Sequence, residues 1–505
     1  MRGKLYELQN GTDIRGVAIE NGKRDVNLNL ERVKMITRGF VAWLENKKDV
    51  ERGKLKVAVG MDSRLSGPQI KDTISRELSK LGCTVYDCKL CTTPAMFMTT
   101  VYPTCRCHGS IMITASHLPY YYNGLKFFTD EGGCEKEDIE YILTEALRDN
   151  GEAISCNGRV LKVDFIDKYS ELLVKEIREG INSKVDYEKP LSRFKIIVDA
   201  GNGAGGFFTD KVLEPLGAKT DGSQFIDPDG NFPNHIPNPE AKEAMDSMKN
   251  AVIKNKADMG IVFDADVDRA AIVDDSGRSI NRNALIALIS SIVLEEHPGT
   301  TVVTDSVTSR GLGEFIQNLG GKHFRFKRGY RNVIDQGIKL NNEGQQCFLA
   351  IETSGHAALR ENYFLDDGAY LIAKILVKMA KLKELGKNIK DLIVNLKIPL
   401  KSLEFRFSIL KENPGEYGSR IIEELKEYTE KVNGWKEANN DYEGIRVECD
   451  RKNGDGWFLL RLSLHEPVMC LNIESDTETG PEIIMRRLRT FFTKYRDLDI
   501  NSFNL

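Results

Sequence analysis

Short runs rich in Val and Ile alternate along the chain with segments whose apolar residues recur at helical spacing. The runs predict strands and the helical spacing predicts amphipathic helices, an alternation typical of α/β units around mixed or parallel sheets. The predicted strands cover residues 54–60, 111–114, 194–199 and 300–304. The predicted helices cover residues 66–81, 94–98, 135–149, 164–180, 283–294 and 368–385, and a further helix follows the glycine-rich turn at 201–206.

Beyond residue 397 the pattern changes to aromatic strands, a helix at 418–432 and a hairpin signal around 453–456, which together predict a separate α+β domain. A chain of 505 residues exceeds what one hydrophobic core usually supports. We therefore predict four domains: three α/β sandwiches with mixed sheets and a C-terminal α+β domain. The predicted boundaries are 1–160, 161–275, 276–395 and 396–505.

The composition is ordinary, with 41% hydrophobic residues, 29% charged residues and a net charge of −4. Such a chain has no bulk positive field to attract nucleic acid or a membrane surface, so neither partner is predicted. No apolar run reaches the roughly 20 residues that span a bilayer, and the first residues lack the apolar segment of a signal peptide. We expect a cytoplasmic protein.

Ten cysteines are scattered along the chain, which fits reduced thiols better than a disulfide framework. Cys88, Cys91, Cys105 and Cys107 are spaced closely enough that zinc stays an alternative, although the last pair is too close for the usual knuckle. Free thiols near strand ends are the favoured interpretation.

Two strand ends carry the most informative chemistry. Ser116 follows a predicted strand, with His117 and Lys126 expected on the same loop, and Asp264, Asp266 and Asp268 follow another. Serine after a strand can simply cap a helix, but the alternating carboxylates would lie on one side of a straight strand and repel each other unless a cation lay between them. All-oxygen ligation suits Mg²⁺, and a phosphate of about −1.5 to −2 charge on Ser116 would be neutralised there. A solvated acidic face without a cation is the alternative. An EF-hand calcium loop does not fit, because its bidentate glutamate has no counterpart here.

The glycine-rich turn at 201–206 is weak support for a dinucleotide site, because no acidic residue follows at the expected distance. We expect it to pack a strand against a helix.

Several motifs, in this order along nearly the whole chain, resemble those of the α-D-phosphohexomutases, which move a phosphoryl group between O1 and O6 of a hexose. They occupy residues 10–16, 60–64, 114–117 with 122–126, 264–269, 352–356 and 461–467. The resemblance implies four domains around a central cleft, with one loop from each domain meeting there.

The resemblance also implies roles for individual residues. The implied catalytic residues are Ser116, His117, Lys126, Arg15 and Arg269, and the implied Mg²⁺ ligands are Ser116, Asp264, Asp266 and Asp268. The implied substrate-binding residues are Tyr330, Glu352, Ser354 and His356 for the sugar and Arg461, Ser463 and His465 for the phosphate that is not transferred. A hexose 1,6-bisphosphate is implied as activator.

The chain departs from the family pattern at two places. In the loop at 461–467, His465 stands where threonine is commoner, and the usual arginine after Pro467 is missing. At the second place, Tyr330 replaces the histidine or tryptophan that distinguishes one sugar from another. The predicted function is interconversion of mannose or glucose phosphates by a monomer or dimer. Phosphoglucosamine mutase ranks second, because residues 10–15 lack the extra glycine before Ile14 that is typical of those enzymes. A sugar-phosphate sensor without turnover is the third alternative, which the altered loop motivates.

Overall fold

In the computed structural model, which describes residues 3–148, 158–439, 442–463 and 466–503, the helices follow segments with apolar residues at helical spacing. The α-helices are α1 Gly3–Tyr6, α2 Leu30–Lys48, α3 Gly67–Lys80, α4 Thr93–Val101, α5 Lys136–Arg148, α6 Phe165–Ile181, α7 Lys242–Asn255, α8 Arg282–Glu296, α9 Arg310–Asn318, α10 Tyr330–Asn342, α11 Gly368–Glu384, α12 Pro414–Glu430 and α13 Gly480–Phe492. A π-helix spans Phe208–Leu213, and short 3₁₀ turns span Arg52–Lys54, Arg360–Asn362, Ile389–Ile393, Arg451–Asn453 and Asn501–Phe503. Among the described residues, no helix is apolar over enough length to cross a membrane.

The strands are mostly buried on both faces and contain many Val, Ile and Phe residues, as sheets covered by helices require. They are β1 Gln9–Asn10, β2 Asp13–Val17, β3 Lys56–Met61, β4 Thr84–Leu90, β5 Gly109–Ile113, β6 Tyr122–Thr129, β7 Gly132–Gly133, β8 Arg159–Lys162, β9 Ile196–Asp199, β10 Met259–Phe263, β11 Ala270–Asp274, β12 Ser279–Ile280, β13 Thr301–Asp305, β14 Lys322–Phe326, β15 Cys347–Ile351, β16 Ala357–Leu359, β17 Leu365–Asp366, β18 Lys401–Ile409, β19 Trp435–Glu437, β20 Ile445–Cys449, β21 Gly456–Leu462, β22 Val468–Ser475 and β23 Leu498–Asp499.

The first of two compact units contains residues 1–285 and 354–391. Its larger sheet has the order β1-β2-β6-β5-β3-β4-β8, with β7 beside β6. Strands β5, β3, β4 and β8 are parallel, whereas β6 and β2 join antiparallel, so the sheet is mixed. Helices α2, α3 and α5 pack on it through a core that includes Phe40, Ile74 and Ile142.

A second mixed sheet in this unit has the order β12-β11-β10-β9, and the antiparallel pair β16 and β17 lies in the same unit. Strand β10 runs parallel to β9 and antiparallel to β11, pairing Phe263 with Ala270. The turn between β10 and β11 therefore leaves the sheet at the end where β9 also ends.

The second compact unit contains residues 286–353 and 392–505. Strands β14, β13 and β15 form a parallel array in it. A separate antiparallel sheet has the order β19-β20-β21-β22-β18-β23, and α12 and α13 cover it through an aromatic core with Phe407, Phe458 and Phe492. This sheet is the predicted C-terminal α+β domain.

The prediction of mixed α/β sheets followed by an α+β domain is confirmed, and the helices and strands predicted before residue 397 lie within a few residues of those observed. The hairpin predicted near 453–456 joins β20 to β21. The start of the helix predicted at 418–432 is wrong by four residues, because Pro414 occupies the first turn, where proline is tolerated. The four domain boundaries stay a prediction.

Candidate active site

Ser116 lies in the short loop between β5 and β6, just after the strand that was predicted at 111–114. Its φ of 51° is in the left-handed region, which costs a residue with a side chain about 1–3 kcal/mol. The Ser116 amide donates to Thr114 Oγ1 over 2.8 Å, and the serine is 3% exposed. The fold thus holds a buried hydroxyl in a constrained backbone conformation.

The three carboxylates of the second motif lie in the turn from β10 to β11, and Val267 within it has a φ of 64°. The expectation of a straight strand is wrong here, because the antiparallel pair forces the chain to reverse between Phe263 and Ala270. The turn still gathers the carboxylates: oxygens of Asp264, Asp266 and Asp268 lie within 4.8 Å of one another.

Two cations face these carboxylates. Lys126 Nζ lies 3.1 Å from Asp266 Oδ2 and 2.5 Å from Asp268 Oδ2. Arg269 donates from Nε to Asp264 Oδ2 over 3.0 Å. The expectation that Lys126 shares the loop of Ser116 is wrong: it lies on β6, and its pairing opposite Met112 of β5 fixes its position.

The serine hydroxyl joins this charged cluster. Ser116 Oγ donates to Asp264 Oδ2 over 3.0 Å and accepts from Arg269 Nη2 over 2.7 Å. Charge-assisted hydrogen bonds of this kind are stronger than neutral ones. One hydroxyl is therefore held between a carboxylate and a guanidinium.

Burial and neighbouring charges shift the pKa values of Asp264 and Asp268 in opposite directions. Burial, followed by the charge of Asp268, raises the pKa of Asp264 well above its usual range. Burial also acts to raise the pKa of Asp268, but Lys126, His356 and Arg269 hold that pKa below its usual range.

The same carboxylates fit a hard divalent cation. Among the described residues, Asp266 Oδ1 and Asp268 Oδ1 are buried oxygens without a hydrogen-bond partner. Buried carboxylate oxygens without donors are expensive, and a small cation that prefers oxygen ligands would satisfy them. Asp266 Oδ2 also accepts a hydrogen bond from Thr93 Oγ1 over 2.5 Å.

His117 lies beside the serine, with Nδ1 3.3 Å from Ser116 Oγ and 2.7 Å from Arg269 Nη2. The charge of Arg269, then burial, then the charge of Arg15 lower the pKa of His117 to about 2. The ring is therefore neutral, and Nδ1 accepts the hydrogen bond from Arg269. Arg15, on β2, donates from Nη1 to Ala115 O over 3.3 Å and pairs with Asp13.

His356 also reaches the carboxylate turn, whereas Ser354 lies two residues earlier in the same segment. His356 Nδ1 lies 2.9 Å from Asp366 Oδ2 and 3.9 Å from Asp268 Oδ1. Backbone bridging between Arg269 and His356 keeps the two segments together. Gly368, at the start of α11, donates its N–H to Val267 O over 3.1 Å.

Within the second unit, Glu352 and the turn before Tyr330 are joined. Gly329, with a φ of 113°, donates its N–H to Glu352 Oε1 over 2.6 Å, and Tyr330 begins α10. Burial, followed by the charge of Glu352, raises the pKa of Asp305 to about 6.

Arg461 is on β21 and is 5% exposed. Its Nη1 lies 3.7 Å from Glu443 Oε1, and Glu443 Oε2 also accepts the N–H of Arg328 over 3.0 Å. The segment before Tyr330 and the predicted phosphate anchor therefore share one carboxylate. Ser463 donates its N–H to Val468 O, and His465 lies outside the described residues.

Sequence reasoning gave no role to several residues at this site. Asp62 and Arg64 contact the serine loop, Thr93 contacts Asp266, and Asp366 contacts His356. In the sequence, the only signals for these residues were the motif at 60–64 and the adjacent acidic residues Asp366 and Asp367.

Cys88, Cys91, Cys105 and Cys107 are buried free thiols. Burial raises the pKa of Cys91 to about 12, which favours the protonated thiol over the thiolate that binds metal. In the described part of the chain, no group of three His, Cys, Asp or Glu side chains close enough to share an ion includes a cysteine.

Comparison with known proteins adds family likeness to this geometry. Models of the phosphoglucomutase/phosphomannomutase alpha/beta/alpha domains I, II and III match residues 7–153, 171–277 and 281–396. A Pseudomonas putida protein named phosphomannomutase/phosphoglucomutase is 30% identical over 480 residues, covering 95% of this chain and 94% of its own. A Neisseria gonorrhoeae protein named phosphoglucomutase is 31% identical over 452 residues, covering 89% and 91%. The crystal structure of a phosphoglucomutase/phosphomannomutase family protein from Burkholderia thailandensis is similar with a TM-score of 0.78, at 26% identity and 97% coverage of both chains.

Proposed function

The chain belongs to the phosphoglucomutase/phosphomannomutase family, and from this premise we propose that it is a mutase that interconverts hexose 1-phosphates and hexose 6-phosphates. One observation carries the proposal. The Ser116 hydroxyl lies between Arg269 and Asp264, at 2.7 and 3.0 Å, inside a cluster of three buried aspartates.

Ser116 is the residue that carries the phosphoryl group. A free hydroxyl of the sugar phosphate attacks the phosphorus of phosphoserine 116, the bond from phosphorus to Oγ breaks, and a hexose 1,6-bisphosphate forms. The proton lost by the sugar hydroxyl balances the one that Oγ gains. In the second half of the reaction, the other phosphoryl group of the bisphosphate returns to Oγ. Transfer through phosphoserine replaces one difficult step with two easier ones.

Arg269 and Lys126 supply the positive charge that this chemistry needs. Negative charge spreads over the equatorial oxygens of the transferring group, and fixed cations stabilise it without reorganising. Arg269 already contacts Oγ, and Lys126 holds its ammonium on the adjacent carboxylates. His117 and Arg15 are assigned to the same cluster because of their contacts to Ser116 and Ala115.

Asp264, Asp266 and Asp268, with an oxygen on Ser116, are the residues that would hold Mg²⁺. When bound there, the ion supplies Lewis-acid stabilisation of the phosphoryl oxygens. The buried oxygens of Asp266 and Asp268 without donors among the described residues support this assignment.

The sugar-binding roles of Tyr330, Glu352, Ser354 and His356 rest on sequence likeness, together with the ordered hydrogen bonds around Glu352 and His356. The phosphate-binding roles of Arg461, Ser463 and His465 rest on likeness and on the buried guanidinium of Arg461. A hexose 1,6-bisphosphate is proposed as activator, because it phosphorylates Ser116 directly.

Mannose and glucose phosphates are the proposed substrates, since the relatives named above carry phosphomannomutase and phosphoglucomutase in their names. Glucosamine phosphate and a sensor without turnover are the alternatives. A cytoplasmic monomer or dimer without nucleic-acid or membrane partners completes the proposal.

A coupled mutase assay tests the proposal with mannose, glucose and glucosamine 1-phosphates, each with and without catalytic amounts of the matching 1,6-bisphosphate. Turnover that the bisphosphate stimulates is expected with mannose or glucose 1-phosphate. Tight sugar-phosphate binding without turnover, in protein phosphorylated at Ser116, would instead identify a sensor.

A further inference from the structure

Arg64 is fully buried, and no step of the proposed phosphoryl transfer involves it. It follows β3 in the segment 60–64, one of the motifs noted in the sequence. An isolated guanidinium inside a protein is costly unless its donors are satisfied. The partners of Arg64 therefore indicate why the fold keeps it.

All five N–H donors of the Arg64 guanidinium have acceptors. Nε donates to Asp62 Oδ2 over 3.1 Å. The other four donors reach backbone carbonyls of one loop: Ser116 O at 2.5 Å, Leu118 O at 2.6 Å, Pro119 O at 2.9 Å and Tyr122 O at 3.0 Å. One side chain thus binds the loop that carries the serine along most of its length.

Asp62 holds the same loop from the other side of the serine. Asp62 Oδ2 accepts from Thr114 Oγ1 over 2.7 Å, and Thr114 Oγ1 accepts the Ser116 N–H over 2.8 Å. Both the amide and the carbonyl of Ser116 are therefore fixed through the Asp62–Arg64 pair. These bonds act on a residue whose φ of 51° is unfavourable for a side chain.

Two residues between 171 and 277, the range of the second matched family domain, approach the turn that carries Arg64. The Phe232 ring lies 5.1 Å from the Arg64 guanidinium. A Cβ added to Gly230 would lie 2.4 Å from both Ser63 O and Leu65 N, so only glycine allows this approach. Gly230 and Phe232 therefore pack directly on the turn that presents Arg64.

We propose that Arg64 is the positioning residue for the nucleophile: it locks the Ser116–Tyr122 loop so that Oγ points between Asp264 and Arg269. The inference deepens the proposed function and rests on it. The planar fork of arginine is required, because a lysine ammonium offers three donors from one point and cannot span four carbonyls and a carboxylate. Gly230 and Phe232 hold the turn of Arg64 against the loop.

The test compares Arg64→Lys and Gly230→Ala with wild type and with Arg38→Lys. Arg38 is a matched control, because it is an arginine of the same unit that pairs with the buried Glu77 away from the loop. We measure kcat and KM for the hexose 1-phosphate at saturating bisphosphate. Hydrogen–deuterium exchange of the peptides covering residues 114–125 gives a second measurement that needs no turnover.

In Arg64→Lys, kcat is expected to fall about 100-fold, a loss that a misplacement of a reacting group by about 1 Å can cause, while KM stays within about threefold. Exchange at the amides of Ser116, Leu118 and Tyr122 should accelerate, with the rest of the chain unchanged. Gly230→Ala should show the same pattern more weakly, and Arg38→Lys should show neither change.

A folded Arg64→Lys protein with wild-type exchange in the loop and wild-type kcat would overturn the proposal. If that variant unfolds as a whole, Gly230→Ala decides: a folded protein with unchanged loop exchange and kcat would also overturn it. If wild type turns over no hexose phosphate, the proposed function fails, and the exchange data still show whether Arg64 holds the loop.

Discussion

Arg269 donates a hydrogen bond from Nη2 to Ser116 Oγ over 2.7 Å, although 153 positions separate the two residues in the chain. The contact exists because the β5–β6 loop and the β10–β11 turn meet within one unit. The guanidinium also contacts Asp264, so it holds the hydroxyl and the carboxylate together. A cation fixed on the hydroxyl before reaction is what phosphoryl transfer through that oxygen requires.

Replacing Ser116 tests the covalent step. Ser116→Ala should lose turnover by a factor of at least about 1,000, because no side-chain oxygen remains to carry the phosphoryl group. Intact wild type treated with the 1,6-bisphosphate should gain the mass of one phosphoryl group at Ser116. Ser110→Ala is the control, since Ser110 is equally buried on β5 and its Oγ has no hydrogen-bond partner among the described residues. Wild-type turnover by Ser116→Ala would disprove the covalent mechanism.

Removing one carboxylate tests the metal site. Asp266→Asn should weaken Mg²⁺ binding in calorimetric titration by about 10- to 100-fold or more and lower kcat, because one charged oxygen ligand is lost. Asp246→Asn, on the exposed face of α7, should change neither quantity. Excess chelator should abolish wild-type activity reversibly, and full activity in chelator would exclude the metal.

The strands and helices of the α/β part were predictable because each buries one continuous apolar pattern. Lys126 was placed in the wrong element, since its polar neighbours Tyr122 and Asn123 obscure the strand from Tyr122 to Thr129. The straight-strand interpretation of Asp264–Asp268 failed for a related reason. Carboxylates at every second residue fit a strand. The reversal of the chain into β11 at Ala270 depends on strand pairing, which residue spacing does not reveal.

The identities of the charged site residues were available from motifs, but their partners were not. Nothing near Arg64 in the sequence indicates that its donors reach carbonyls more than 50 positions later. Asp366 is similar, because its contact with His356 depends on the pairing of β16 with β17. Side chains that act on backbone atoms of a distant loop leave no local pattern.

A histidine outside the catalytic cluster gives a pH-dependent stability prediction. His235 Nε2 lies 3.0 Å from Asp199 Oδ2 in the first unit. Burial acts to lower the pKa of His235, but the hydrogen bond and charge of Asp199 outweigh it and raise that pKa. Because the folded pKa is raised, the stabilisation is fully present below the unfolded value of about 6.5 and is lost as pH rises through the folded value.

His235→Gln should therefore reduce the free energy of unfolding by about 1–3 kcal/mol at pH 5.5 and by clearly less at pH 8.5. Urea unfolding at both pH values measures the difference. An equal loss at the two pH values would show that the charge on His235 contributes nothing to stability.

The atypical phosphate loop gives the last prediction. Arg461 should carry most of the phosphate affinity, because its guanidinium can pair with the anion bidentately while imidazole is mostly neutral at pH 7. Arg461→Ala should lower kcat/KM by about 10- to 100-fold, chiefly through KM, with some loss of kcat because a loosely held substrate misplaces its reacting hydroxyl. Arg406→Ala, on the half-exposed strand β18 of the same sheet, is the control.

His465→Ala should do little near pH 8 and more near pH 6, where an imidazolium adds charge to the site. Steady-state kinetics at both pH values decides the matter, and unchanged KM and kcat in Arg461→Ala would mean that the phosphate binds elsewhere.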